Sequence, residues 1–387
     1  MSGAGRLRTR LARHAWVLLC LSATGQAASG EAADYPDLVP PAHEAHALID
    51  ASPAIRGART LQQERLAHAA GLRSGPGEWV AGVTTQRRTD TTGQQFSEQA
   101  YQLGREFRLP GKYLLDRQRA VLQETLGDAE FRDAWHEAAR SLLAAWFNWL
   151  RATRHRDLAG HESALAQEYA RQVERRVELG DSAPVDANAA QAAASRARAQ
   201  LLEAEGAVAL ARRTALEAFP SLSLREPRQW PDPVLPPGPA DSWIDRIRGH
   251  NHEIEVGDTV ATAASLDARR ARQDRLPDPR VVFHFSNNFD QDRRQLGLEV
   301  SIPLGGARRR HAAVLEAGRA ERAALEAEQV RRRVGMEAED LVADASRRHE
   351  RWQALATAAD LAQALARRTQ RGQELGEYTV ADVVLAR

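Results

Sequence analysis

The chain has 387 residues and a formal net charge of +1, so no long-range field recommends nucleic acid or an anionic surface as a partner. Hydrophobic residues make up 43% but aromatics only 5%, alanine and arginine abound, and Lys112 is the only lysine; this favours long exposed helices over a thick globular core. Cys20 is the only cysteine, which excludes an internal disulfide and a cysteine-ligated zinc site.

Residues 1–28 read as an export signal. Arg6, Arg8, Arg10 and Arg13 form a basic start, Ala15 to Leu21 a short apolar stretch, and Ala23 to Ala28 a small-residue run. The apolar stretch is too short to span a bilayer, so cleavage after Ala27 or Ala28 is expected, with an uncleaved anchor as the competing reading. Cys20 then leaves with the signal. Lipidation of Cys20 is the alternative, although Leu19 precedes it where a small residue is wanted. No other segment reaches the ~18 uncharged apolar residues of a membrane helix, so a membrane-spanning part would have to be a β-barrel.

The elements then follow twice in one order. A helix over about 43–72 leads to two short alternating runs, Trp79 to Val83 and Tyr101 to Leu109, joined by a polar loop from Gln86 to Gln95. Tyr101, Leu103, Phe107 and Leu109 fall on one face, with Gln102, Gly104, Glu106 and Arg108 on the other. From Gly111 to Leu179 there is no proline, which predicts a helix of about 100 Å at 1.5 Å per residue. Its stripe of Phe131, Trp135, Ala138, Leu142, Trp146 and Trp149 is read as packing rather than as a cofactor box. After a turn at Glu178-Leu179-Gly180, Pro184 to Phe219 predicts an alanine-rich return helix. Seven prolines in residues 220–239 exclude helix and central strand there.

The second copy has a helix over about 240–273 and runs at Val281 to Phe285 and Leu296 to Ile302 about a loop from Asn287 to Arg293. A long helix from Ala307 to Leu375 and a turn at Glu374-Leu375-Gly376 follow. Val281, Phe283 and Phe285 oppose Val282, His284 and Ser286; Leu296, Leu298, Val300 and Ile302 oppose Gly297, Glu299 and Ser301. Local matches recur at a nearly constant offset of roughly 200 residues, which argues for duplication: Leu103–Pro110 with Leu296–Pro303, Glu178-Leu179-Gly180 with Glu374-Leu375-Gly376, and Asp186 with Asp382. The domain expectation is a signal peptide (1–28), a first repeat (40–219), a proline-rich joint (220–239) and a second repeat (240–387). The second repeat stops at Arg387 without a counterpart of the return helix; the chain is therefore expected to be a fragment, a frameshifted reading or a truncated paralogue. As written it is expected not to close a competent tunnel.

An export signal, two copies of strand–strand–long helix–turn–helix and a proline-rich joint together resemble the TolC family, over about residues 40–387. Leu109-Pro110-Gly111-Lys112 and Ile302-Pro303-Leu304-Gly305-Gly306 resemble its passage from barrel into helix. The resemblance implies a mainly α fold with four strands per protomer. Three protomers would close a twelve-stranded barrel on a helical periplasmic tunnel in the outer membrane of a Gram-negative cell. It implies a homotrimer in outer-membrane lipid, a periplasmic adaptor and an inner-membrane pump of RND type. Glu106, Arg108, His284 and Glu299 would line the barrel lumen. Leu179, Gly180, Leu375 and Gly376 would form tips that meet the adaptor, their competing reading being ordinary helix ends. Asp186 and Asp382 match aspartates that narrow the family's tunnel; the competing reading is a first-turn carboxylate facing the helix dipole. The Phe107–Lys112 segment and the compact loops are similar to the cation-efflux (CzcC-like) branch, so the expected role is a passive exit duct for heavy-metal cations or small toxic compounds. Drug efflux and one-step (type I) protein secretion remain alternatives, as does a non-channel periplasmic coiled-coil protein whose hairpins are soluble.

No enzyme is expected. There is no phosphate-cradling glycine loop, no Gly-x-Ser-x-Gly and no His-Glu-x-x-His. The pairs His43/His46 and His250/His252 lack the further ligands of an ordinary metal site and read as solvated histidines, so neither metal nor cofactor is expected.

Overall fold

The computed structural model describes residues 38–75, 77–89, 91–288, 293–375, 377 and 378. The signal segment with Cys20, the tip glycine Gly376 and Asp382 lie outside the described residues. In chain order come α1 (Ala42–Ala51), α2 (Pro53–Ser74), β1 (Val80–Thr89), β2 (Gln95–Glu106), α3 (Pro110–Glu178) and α4 (Pro184–Ala218). Then follow α5 (Ala240–Gly249), α6 (His252–Gln273), β3 (Arg280–Asn288), β4 (Arg293–Ser301) and α7 (Ala307–Glu374). The 69 residues of α3 make a rod of about 100 Å, and α7 is of similar length.

The two shorter helices expected ahead of the strands are each broken. Ser52 precedes a proline, which disfavours helical geometry at Ser52, and its hydroxyl accepts the Ile55 N–H at 3.3 Å. Asn251 does the same for the Ile254 N–H at 3.0 Å. A side chain that caps a new helix ends the old one, so 42–74 and 240–273 each hold two helices.

The long helices pack through side chains of opposite size and charge. α3 lies against α4, α2 and α6, while α7 lies against α6 and α5. Between α2 and α3, Gly127 lets the backbones close in; a Cβ there would sit 3.0 Å from that of Arg65, whose guanidinium reaches Glu130 at 2.8 Å. The main apolar core forms where α1, α2, α3 and α4 meet the proline-rich segment. Ile55, Leu142, Trp146, Leu150, Phe219 and Leu222 are buried in it. The Trp146 indole N–H donates to the Leu38 carbonyl at 2.8 Å, so the ring is both buried and satisfied. The tryptophan stripe is therefore packing. Among the described residues no helix is long and apolar enough to cross a membrane.

The four strands form one antiparallel sheet in the order β1-β2-β3-β4. The central pairing, β2 with β3, joins the two halves of the chain. The polar segments expected as loops are partly strand: β1 runs to Thr89 and β3 to Asn288, while residues 90 and 289–292 lie outside the described residues. A ladder that faces water needs no apolar alternation to hold its hydrogen bonds, so this part carried no pattern.

Candidate functional site

The register sorts the sheet into two unlike faces. One row runs Val83, Tyr101, Phe285, Leu296 across all four strands, and the next runs Ala81, Leu103, Phe283, Leu298. The Tyr101 and Phe285 rings lie 6.3 Å apart. These apolar side chains are uncovered in the single chain: Leu296 is 83% and Leu298 62% exposed. Among the described residues no helix makes an extensive contact with the sheet. The opposite face carries Gln102 beside His284 and Gly297, and His284 Nε2 lies 2.9 Å from Glu299 Oε2. At the edges, β1 and β4 each pair on one side only.

Of the four side chains expected on the polar face, Glu106, His284 and Glu299 are there, by register. Arg108 is not. The Phe107 N–H still donates to the Pro279 carbonyl in the register of the ladder, but Pro279 has no N–H to continue it and Pro110 starts α3, so the strand ends before Arg108. Arg108 turns under the sheet, where it donates to the Leu72 and Arg73 carbonyls and to Asp116.

There it joins a buried ionic cluster that sequence reasoning missed. Asp116, with its side chain 4% exposed, receives Arg108 at 2.8 Å, Arg119 at 3.0 Å and Arg270 at 2.9 Å. Burial alone would raise its pKa, but the hydrogen bonds from Arg108 and Arg270 outweigh it and hold the carboxyl below its usual range. Lys112, 1% exposed, places its ammonium 3.1 Å from Asp274 and 3.0 Å from Asp278. Neither contact is aligned as a hydrogen bond, so charge holds it. Asp278 also accepts the Leu109 N–H at 3.0 Å. The cluster fastens the start of α3, in one half, to the end of α6 and the entry to β3, in the other. The one signal that could have marked it is a lone lysine in an arginine-rich chain, beside the strand-to-helix passage.

At the far end, both long helices end on a backbone bond that reaches back five residues. Gly180 has φ +80°, its N–H reaches Val177 O and that of Asp181 reaches Arg176 O at 2.7 Å. This left-handed end suits glycine. At the end of α7 the Glu377 N–H reaches Gly372 O at 2.8 Å. Leu179 and Leu375 are left 69% and 73% exposed. Asp186, in the first turn of α4, accepts the Ala183 N–H at 3.2 Å and so caps the start of that helix.

Between α3, α6 and α7 lies a cleft of about 550 Å³ lined by Asp133, His136, His252, Glu253 and Arg333 among others. Burial, then the charge of Glu253, raise the Asp133 pKa, with the neighbouring histidines opposing. The His136 and His252 rings meet edge-on at 5.7 Å. His250 bonds its own helix, at Arg246 O. Among the described residues no group of three or more His, Cys, Asp or Glu side chains could hold a metal.

Neither a family model nor a curated sequence matches the chain. Solved structures do. The outer-membrane channel OprN superposes with a TM-score of 0.74 at 16% identity, over 91% of this chain and 83% of that one. The outer membrane protein VceC from Vibrio cholerae gives 0.71 at 16%, over 89% and 88%. CusC, whose structures concern folding and transmembrane channel formation, gives 0.68 at 16%, over 89% and 85%. The chain thus has the fold of the TolC-family outer-membrane channels.

Proposed function

We propose that this chain is one protomer of a homotrimeric outer-membrane efflux duct. One observation carries the reading: a four-stranded sheet, apolar and uncovered on one face and mainly polar on the other, with two unpaired edges, at the head of helices about 100 Å long. Open edges are not tolerated in a bilayer, and β1 of one copy beside β4 of the next would satisfy both. Three copies close a twelve-stranded barrel, with Glu106, His284 and Glu299 lining water and the apolar rows facing lipid. The fold likeness to outer-membrane channels supports the same placement.

In this reading residues 1–28 direct export, the repeats 40–219 and 240–387 build barrel and tunnel, and 220–239 joins them. The tips at Leu179, Gly180, Leu375 and Gly376 engage a periplasmic adaptor, and an RND-type inner-membrane pump supplies the energy. Asp186 and Asp382 form acidic rings that narrow the tunnel and favour cations. The duct is passive, and its cargo is heavy-metal cations or small toxic compounds. Fractionation of cells producing the chain tests this: it belongs in the outer membrane, as a detergent-dependent oligomer that migrates differently after heating. Recovery as a soluble monomer would end the reading.

A further inference from the structure

The apolar face of the sheet has charged ends, and those ends differ. At the end nearest the helices, the Arg105 guanidinium lies 5.5 Å over the Trp79 ring and donates to Gly77 O; this cation is occupied. At the hairpin end, Arg87 on β1 and Arg294 on β4 share the apolar face, since Arg87 alternates with Val83 and Arg294 with Leu296. Both are exposed. Neither side chain makes an ion pair or hydrogen bond among the described residues. The adjacent Arg88, which points to the polar face, is paired with Glu98 at 3.3 Å and lies over the Phe96 ring. At this rim Arg88 is paired within the sheet, whereas Arg87 and Arg294 stand open to whatever lies outside it.

From Trp79 to Arg87 the strand climbs about 27 Å at ~3.4 Å per residue, or roughly 20 Å along the membrane normal at a 35–45° tilt. That matches an apolar band, so the two arginines stand at headgroup level. They also sit on the two edge strands. When β4 of one copy lies beside β1 of the next, Arg294 and Arg87 come from neighbouring copies to the same rim of the outer wall.

We infer that Arg294 of one copy and Arg87 of the next form an intersubunit site for the phosphates of outer-leaflet lipid headgroups. Guanidinium forks match phosphate oxygens and remain charged at any physiological pH. The inference rests on the channel reading, because it needs adjacent copies and a bilayer.

The test uses the assembled full chain in nanodiscs of neutral lipid doped with lipid A, counting lipid A retained per oligomer by native mass spectrometry. At about five-fold per arginine near an anionic lipid surface, the Arg87→Gln/Arg294→Gln variant should retain roughly 30-fold less. Lipid A stripped of its phosphates should be retained equally poorly by the unaltered protein. Arg87→Lys/Arg294→Lys should restore part of the retention, and Arg88→Gln, on the inner face, should change nothing. Equal retention by the Gln variant with the oligomer intact overturns the inference and leaves the channel reading standing. Displacement of lipid A by millimolar inorganic phosphate would assign the site to free phosphate and overturn the lipid assignment. An unaltered protein that forms no oligomer in nanodiscs sinks the channel reading and this inference with it.

Discussion

The Arg270 guanidinium at the end of α6 donates to the Asp116 carboxylate in the first turns of α3 at 2.9 Å. The two residues belong to opposite halves of the chain, and the bond lies where both pairs of strands hand over to helices. Asp116 is shared with Arg108 and Arg119. Replacing it by Asn keeps the shape and removes the charge, which leaves Arg108 buried without a counterion and Arg270 with Asp274 alone. Breaking such a buried pair costs about 3–5 kcal/mol. Thermal unfolding followed by circular dichroism should show a large loss for Asp116→Asn and a smaller one for Arg119→Gln, because Arg119 is the more exposed partner. Equal effects would show that Asp116 is not the hub.

Acidity should separate two aspartates of opposite sign. Asp116 is held below its usual range, so its contribution is complete above the ordinary aspartate value of about 3.9 and drains away as pH falls through the lower folded value. Asp133 is raised, by burial first and then by Glu253. Its ionised form is disfavoured in the folded state, so it costs stability above its folded value and the cost is relieved as pH falls. Melting temperature against pH should therefore show Asp133→Asn more stable than the unaltered protein at pH 7 and no different near pH 3. Asp116→Asn should be less stable at pH 7, with the difference shrinking toward pH 2. A parallel shift of both curves would contradict these assignments.

Much of this was legible in the sequence, for local reasons. Proline-free stretches bounded by Pro110 and Gly180, and a start at Pro184, mark helix ends because proline lacks an N–H and glycine accepts a left-handed backbone. Alternation located all four strands, and the register now places Phe283 with Leu298 and Tyr101 with Phe285 as that alternation requires. What failed was what depends on partners. Arg108 fits the strand pattern, yet the strand ends before it. Gln86 to Thr89 read as loop because a wet strand has no apolar period. The Asp116 and Lys112 cluster joins residues far apart in sequence, and no local spacing announces it.

The tips carry a separable prediction. A Cβ on Gly180 would meet nothing within 4 Å, so Gly180→Ala probes only its left-handed backbone and should cost about 1 kcal/mol. Leu179→Asp with Leu375→Asp alters exposed side chains and should leave melting unchanged. If the tips meet an adaptor, the same double variant should abolish periplasmic crosslinking to it while the oligomer persists. Undiminished crosslinking would remove the tips from the coupling.

The sheet makes neighbouring residues of β4 behave oppositely. If the apolar face meets lipid, an arginine at Leu298 should cost about 2–4 kcal/mol of barrel stability, as expected near a bilayer midplane. Glu299→Gln, one residue on and on the polar face, should cost little. Denaturant titration of the heat-modifiable oligomer reads both, and similar losses at the two positions would contradict the assignment of faces.

The most direct measurement is single-cysteine labelling along β4 in a Cys20→Ser background, in intact outer membranes. Each residue from Arg294 to Ser301 is tested with a membrane-partitioning maleimide and a charged, water-soluble one. A sheet that walls a membrane pore predicts strict alternation: Leu296, Leu298 and Val300 react with the first reagent, and Gly297, Glu299 and Ser301 with the second. If the water-soluble reagent labels both sets alike, the strands are a soluble hairpin and the channel account is wrong.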